Sequence, residues 1–150
     1  MAKEDSQLLV LKRIEKEKEQ KAAMDLQSAQ SFLQANQAKL KEVQSYKLDY
    51  LKRMQQMGSS GMGGGSYQHY QRFIVQLDQG ILAQTNVVST AKEVVEQRRQ
   101  EWLMQTNKVK AVDTLLDKKA QARQAKLDKY EQNQADEFAA QKYIRSQLGV

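Results

Sequence analysis

Starting at Leu26 and moving alternately by three and four residues, the chain returns an apolar side chain almost every time. The positions are Leu26, Ala29, Leu33, Asn36, Leu40, Val43, Lys47, Tyr50, Met54 and Met57, and eight of these ten are apolar. The same stepping from Tyr70 gives Tyr70, Ile74, Leu77, Ile81, Gln84, Val88, Ala91, Val95, Arg98, Trp102, Gln105, Val109, Val112 and Leu116, eleven of fourteen apolar. A repeat of 3.5 residues is the seam of a coiled coil, in which each side chain enters a hole on a facing helix. Towards the N-terminus the repeat weakens: Glu15 and Glu19 keep the register, while Leu8, Leu11 and Ile14 read as slightly offset. Beyond Leu116 the register falls on Lys119, Arg123, Lys126, Tyr130 and Asn133, so the seam ends before the helix-forming composition does.

Between the stripes lies "GSSGMGGGS", which holds five of the seven glycines of a chain without proline. Glycine reaches the positive-φ conformations that a sharp reversal needs. Gly58 reads as the C-cap of the first helix and Ser66 as the N-cap of the second. With the turn centred near Met62, Val43 faces Ile81, Tyr50 faces Ile74, and the first helix ends opposite roughly residue 120, where the second stripe fades. The expected fold is all-α: one domain over 1–150, a long antiparallel two-helix coiled coil (an α-helical hairpin) with an overhanging C-terminal helix end. Helix 1 is expected at about 4–57, the turn at 58–66 and helix 2 at about 67–147. A first helix of this size spans on the order of 75 Å. Pairing of the segments between chains in an oligomer is the alternative arrangement.

Cysteine is absent, which removes disulfides and thiolate metal sites and suits a reducing compartment. The N-terminal apolar run Leu8–Leu11 is far too short for a signal peptide or a membrane span, so the expected location is cytosolic. The net charge of +6 gathers at the ends: residues 1–57 carry eleven basic and eight acidic side chains, residues 67–117 six of each, and residues 118–150 seven and four. A solvated helix face and a surface for an acidic partner both fit that pattern.

Catalysis needs a concave pocket with convergent titratable groups, which a two-helix coil does not supply. His69 stands alone beside the turn, and Glu15, Glu17 and Glu19 alternate with lysines as on an ordinary exposed helix. The glycine cluster lacks phosphate-loop spacing. The expectation is therefore no enzyme, no catalytic residue, no cofactor and no metal. A pI near 9.4 would permit salt-sensitive phosphate contact. The basic residues are mixed with acids and form no concentrated face, so a nucleic-acid-binding coiled coil is the weaker alternative.

The aromatic residues carry more. Tyr50 and Tyr70 fit the seam, whereas Tyr46 and Phe73 fall on its flank, either lengthening a thin core or forming a docking patch. Trp102 reads as a seam anchor, and Arg98 as a residue that reaches outward or pairs with an acid. Leu127, Tyr130, Phe138, Tyr143 and Ile144 lie on the overhang, either for insertion into a partner or as part of a disordered tail.

The stretches "YKLDYLKRM" and "YQHYQRFIVQLDQGI" on either side of the turn resemble the flagellar type III export protein FliJ family. The tryptophan-bearing "RRQEWLMQTNKVKAVDTLLDKK" and the tail "QADEFAAQKY" extend the resemblance over nearly the whole chain. The stalk proteins of injectisomes are similar. The resemblance implies a coiled coil like the γ stalk of rotary ATPases, working in bacterial flagellum biogenesis and protein export, and hence in motility and chemotaxis. It implies that the paired termini occupy the hexameric export ATPase and promote its assembly. It further implies coupling to the cytoplasmic part of the export-gate membrane protein, and binding and recycling of export chaperones. The implied location is cytoplasmic, peripheral to the inner membrane, without membrane insertion.

By position in the motif, the gate-binding cluster would be Lys39, Val43, Tyr46, Tyr50, Phe73, Leu77, Gly80 and Gln84. The stripe places Val43, Tyr50, Leu77 and Gln84 at the seam, whereas a gate contact needs them accessible. For the ATPase, the two readings together nominate Leu8, Leu11, Ile14, Lys21, Arg123, Leu127, Tyr130 and Phe138. A general export chaperone or coiled-coil adaptor is the competing class.

Overall fold

A computed structural model of the protein describes residues 3–59, 61 and 63–149. Two helices make up almost all of it: α1, Lys3–Ser59, and α2, Gly64–Leu148. They pack antiparallel as an all-α helical-hairpin coiled coil. Contacts gather the chain into two compact units, Lys18–Gln105, and Met1–Glu17 with Thr106–Val150.

In the unit that carries the turn, the less exposed residues of α1 recur at Leu26, Ala29, Leu33, Asn36, Leu40, Val43, Lys47, Tyr50 and Met54. Those of α2 include Tyr70, Ile74, Leu77, Ile81, Gln84, Val88, Ala91, Val95, Arg98, Trp102 and Gln105. Both runs keep the alternating three-four step, so the 3.5-residue repeat is the contact line. Met57 is the exception: it is exposed, because the seam closes at Met54. Lys47 of α1 ion-pairs with Asp78 of α2, within one residue of the expected register. Arg98 reaches out of the seam to Glu101 at 3.2 Å.

A polar pair interrupts this seam. Asn36 is only 7% exposed. Its Nδ2 donates to the Phe32 carbonyl at 2.8 Å. Gln84 Nε2 donates to the Asn36 carbonyl at 3.0 Å and to Asn36 Oδ1 at 2.9 Å. A buried amide pair of this kind costs stability relative to leucine but disfavours slipped registers, where each amide would lose its partner.

The turn is tighter than the composition suggested. α1 runs through Gly58 to Ser59, and the left-handed residue is Gly61, with φ 88°. Gly61 N–H donates to the Gly58 carbonyl at 3.4 Å. Ser66 is not the N-cap: α2 begins at Gly64, and the Gly63 carbonyl accepts from Tyr67 N–H at 3.1 Å. Extending an existing helix adds one hydrogen bond per residue fixed, so it carries through Gly64 and Gly65 despite their low propensity. Met62, the expected turn centre, lies outside the described residues.

In the other unit, Val109 and Val112 are buried, with Leu116 and Lys119 half-buried along the same line. Across from them, Leu8 and Lys12 are half-buried. Leu8 is therefore in register and not offset, while Leu11 and Ile14 are exposed. Lys12 pairs with Asp113 at 2.7 Å and Lys119 with Glu4 at 2.7 Å. Asp5 is 4% exposed and meets the Arg123 guanidinium. Past these pairs α2 continues alone, and every residue from 120 to 148 is exposed. No helix is long and apolar enough to cross a membrane among the described residues.

Candidate functional site

Near the turn, heptad packing brings four rings together from two helices. Tyr46 and Tyr50 stand one helical turn apart on α1, so their side chains leave the same face. Tyr70 and Phe73 do the same on α2. Tyr50 is the hub: its ring centroid lies 4.6 Å from Phe73 and 4.9 Å from Tyr70. Tyr46 lies 6.2 Å from Phe73, edge to face, and 6.3 Å from Tyr50. Such pairs add to the energy of simple burial. Burial pushes the Tyr50 phenol above its ordinary pKa, and neighbouring Tyr70 and Tyr46 add to the effect.

The structure assembles most of the nominated gate cluster on the unit carrying the turn. Tyr46 remains 50% exposed, and Lys39 and Gly80 are exposed. Val43, Tyr50, Phe73, Leu77 and Gln84 are half-buried. The tension between seam and surface thus resolves residue by residue. Tyr46 presents its ring outward, and Phe73, expected on the flank, is partly covered by its neighbours. Gln84 spends its amide N–H groups on Asn36. At Gly80 an added Cβ would meet nothing within 4 Å, so no close packing explains the glycine.

The residues nominated for the ATPase are not one cluster. Leu8 is partly covered in the seam, whereas Leu11 and Ile14 face outward. Lys21 is exposed and belongs to the unit carrying the turn. Arg123 is engaged with Asp5. Leu127, Tyr130 and Phe138 lie on the unaccompanied end of α2, with Phe138 70% exposed. Tyr143, Ile144 and Leu148 continue that exposed apolar set. The Glu4 carboxyl is held below its usual range by the hydrogen bond from Lys119, whose positive charge adds to the effect.

Two features escaped sequence reasoning. The first is the closing pair Asp5–Arg123; its signal was the same stepping carried back through Lys12 and Leu8 to Asp5. The second is the Asn36–Gln84 pair, signalled by two polar residues that interrupt facing stripes one turn apart. No group of three or more His, Cys, Asp or Glu side chains that could hold a metal occurs among the described residues.

Searches among curated proteins and among solved structures gave no match. The family model described as Flagellar FliJ protein matches residues 4–148, which takes in both helices, the aromatic turn and nearly all of the overhang. The chain therefore belongs to the flagellar FliJ protein family.

Proposed function

We propose that this flagellar export-related protein is the central stalk of a hexameric export ATPase. It binds the ring, promotes its assembly and turnover, and couples it to the cytoplasmic domain of the export-gate membrane protein. It also helps recycle export chaperones. The role is non-catalytic, in the cytoplasm, peripheral to the inner membrane at the flagellar base.

One observation carries the reading: the end of α2 exposes Leu127, Tyr130, Phe138, Tyr143, Ile144 and Leu148 with no helix beside it. An isolated helix gains little from exposed apolar groups, so covering them on a partner is where they contribute. The tail also changes charge along its length, from Lys126, Asp128 and Lys129 through the acidic Glu131, Asp136 and Glu137 to the basic Lys142 and Arg145. That order gives a partner a direction in which to seat it. The aromatic cluster, led by Tyr46 and Phe73, is the gate-facing candidate.

The test is ATP turnover and ring formation by the purified export ATPase, alone and with this protein. Truncation after Arg123 removes the tail and keeps the Glu4–Lys119 and Asp5–Arg123 pairs. Stimulation by the full chain that vanishes on truncation supports the stalk. No stimulation at any ratio, from a folded protein, overturns it and leaves the adaptor reading.

A further inference from the structure

The coiled coil of residues 18–105 has two unlike edges. Along one run the residues that precede alternate seam positions: Asp25, Phe32, Lys39 and Tyr46 on α1, and Phe73, Gly80, Val87 and Val94 on α2. In an antiparallel pair these two rows lie side by side, as the Tyr46–Phe73 ring contact shows. Along the opposite edge run Gln30, Gln37 and Gln44, with Asp78, Thr85, Lys92 and Arg99. The first edge is largely apolar along its middle, between Phe32 and Tyr46 on α1 and between Phe73 and Val94 on α2, whereas the second is polar except for Ala23 and Leu51, an asymmetry that the seam does not require.

The apolar edge forms an open groove of about 730 Å³, lined by residues that include Phe32, Val87, Thr90, Ala91 and Val94. Phe32 is 57% exposed. Ser28 and Thr90 on its walls, with Ala35 and Ala83 further along the same rows, are small enough to let another helix approach. Two charges flank Phe32 seven residues to either side, Asp25 and Lys39, and further out the same rows carry Lys18, Arg53 and Glu101. Neither Asp25 nor Lys39 ion-pairs with any described residue, whereas Lys47, Arg98 and Arg99 on the same unit all do.

We infer that this edge is a self-docking surface that takes a second copy of the chain about a two-fold axis crossing the coil at the level of Phe32 and Val87. An axis in that position inverts each helix about its own midpoint. It sets Lys39 of one copy against Asp25 of the other, twice over. It stacks Phe32 on its counterpart and places Val94 against Gly80, large against small. A two-fold contact must be self-complementary, and a basic and an acidic residue equidistant from an aromatic centre satisfy that demand. The alternative two-fold, along the coil axis, would set Lys39 over Gly80 and Asp25 over Val94 and leave all four charges unpaired. The contact is a narrow strip, so the association is expected to be weak and reversible. It does not depend on the proposed gate contact, but it uses Lys39 and Gly80, so a bound second copy and a gate bound there would compete.

Sedimentation equilibrium of the full chain over a wide concentration range tests this. The wild type is expected to pass from monomer to dimer. Asp25→Lys and Lys39→Asp, each made alone, put like charges opposite one another at two places and should weaken the dimer about tenfold. The double variant Asp25→Lys/Lys39→Asp should restore it. Thermal melts check that each variant folds, which their exposed positions allow. A monomer at every concentration overturns the inference, as does a dimer indifferent to the single reversals. A dimer that the double variant fails to recover overturns the axis.

Discussion

Both the turn-proximal end and the C-terminal tail show aromatic side chains to solvent, yet the two displays differ in kind. At the turn, the rings of the four-residue cluster back one another: Tyr46 leans on Phe73 and Tyr50, and Phe73 on Tyr50. On the tail, Tyr130, Phe138 and Tyr143 contact no other ring among the described residues, and no second helix runs beside them. The first is the outer surface of a small core. The second has no packing behind it. A surface already held by neighbours binds without a large ordering cost, whereas a lone helix must be held by what it binds. Exposure alone therefore says little; what stands behind the exposed group separates a pre-formed patch from an unfinished one.

The sharpest way to break this comparison is to set the seam against the tail. Val109→Asp places an unpaired charge at a buried seam position and is expected to cost about 3 kcal/mol or more, enough to unfold much of so thin a structure. Phe138→Asp makes the same kind of change on the tail and should leave the thermal melt unmoved. If both variants melt alike, the tail is packed and the distinction fails.

At the turn the expected effect is intermediate and divided. Phe73→Ala removes two ring contacts and should lower stability by about 1 kcal/mol. If the gate reading holds, it should also weaken binding to the gate's cytoplasmic domain about tenfold while far-ultraviolet circular dichroism keeps its helical signal. Loss of binding and helicity together would make Phe73 a core residue only.

A smaller effect, of opposite sign, belongs to the polar pair. Replacing Asn36 and Gln84 together by leucine removes a buried and a half-buried amide in contact and should raise stability by about 1 kcal/mol. Register should loosen at the same time, seen as new disulfide pairings between engineered cysteines one turn out of step. A melt that falls on double substitution would mean that the pair stabilises outright.

The smallest effect is in pH. The Glu4 carboxyl has a pKa lowered in the folded state, so its pairing with Lys119 contributes above the unfolded carboxylate pKa and is lost as pH falls through the folded one. Acidification should fray the first turn of α1, seen as faster amide exchange there, and Glu4→Gln should remove that pH dependence. Tyr50 runs the other way. Its raised pKa means that a contribution present below the ordinary phenol range is lost as pH climbs past the folded value.

Much of this was legible in the sequence. Every seam position of α2 from Tyr70 to Leu116 is buried or half-buried, because a 3.5-residue repeat apolar at eleven of fourteen positions leaves one way to cover that stripe. The turn was harder. Five clustered glycines can each supply a cap, and composition does not say which one turns left-handed; Gly61 does, and Gly58 stays helical. Leu8 was misread because the run Leu8–Leu11 offers an apolar residue at every angle, while the seam residues around it, Asp5 and Lys12, are polar. For the candidate sites, Tyr46 and the tail residues were visible as apolar groups off the seam. That Gln84 is engaged by Asn36 and Arg123 by Asp5 depends on cross-helix pairing, which no single stripe records.

Hydrogen exchange of the full chain, alone and with the export ATPase ring, tests the central claim most directly. The account predicts fast exchange across residues 124–148 in the free protein and strong protection there once the ring is added, with the backbone around Tyr46 and Phe73 unchanged. Protection confined to the turn end, or a tail that stays unprotected at saturating ring, would contradict it.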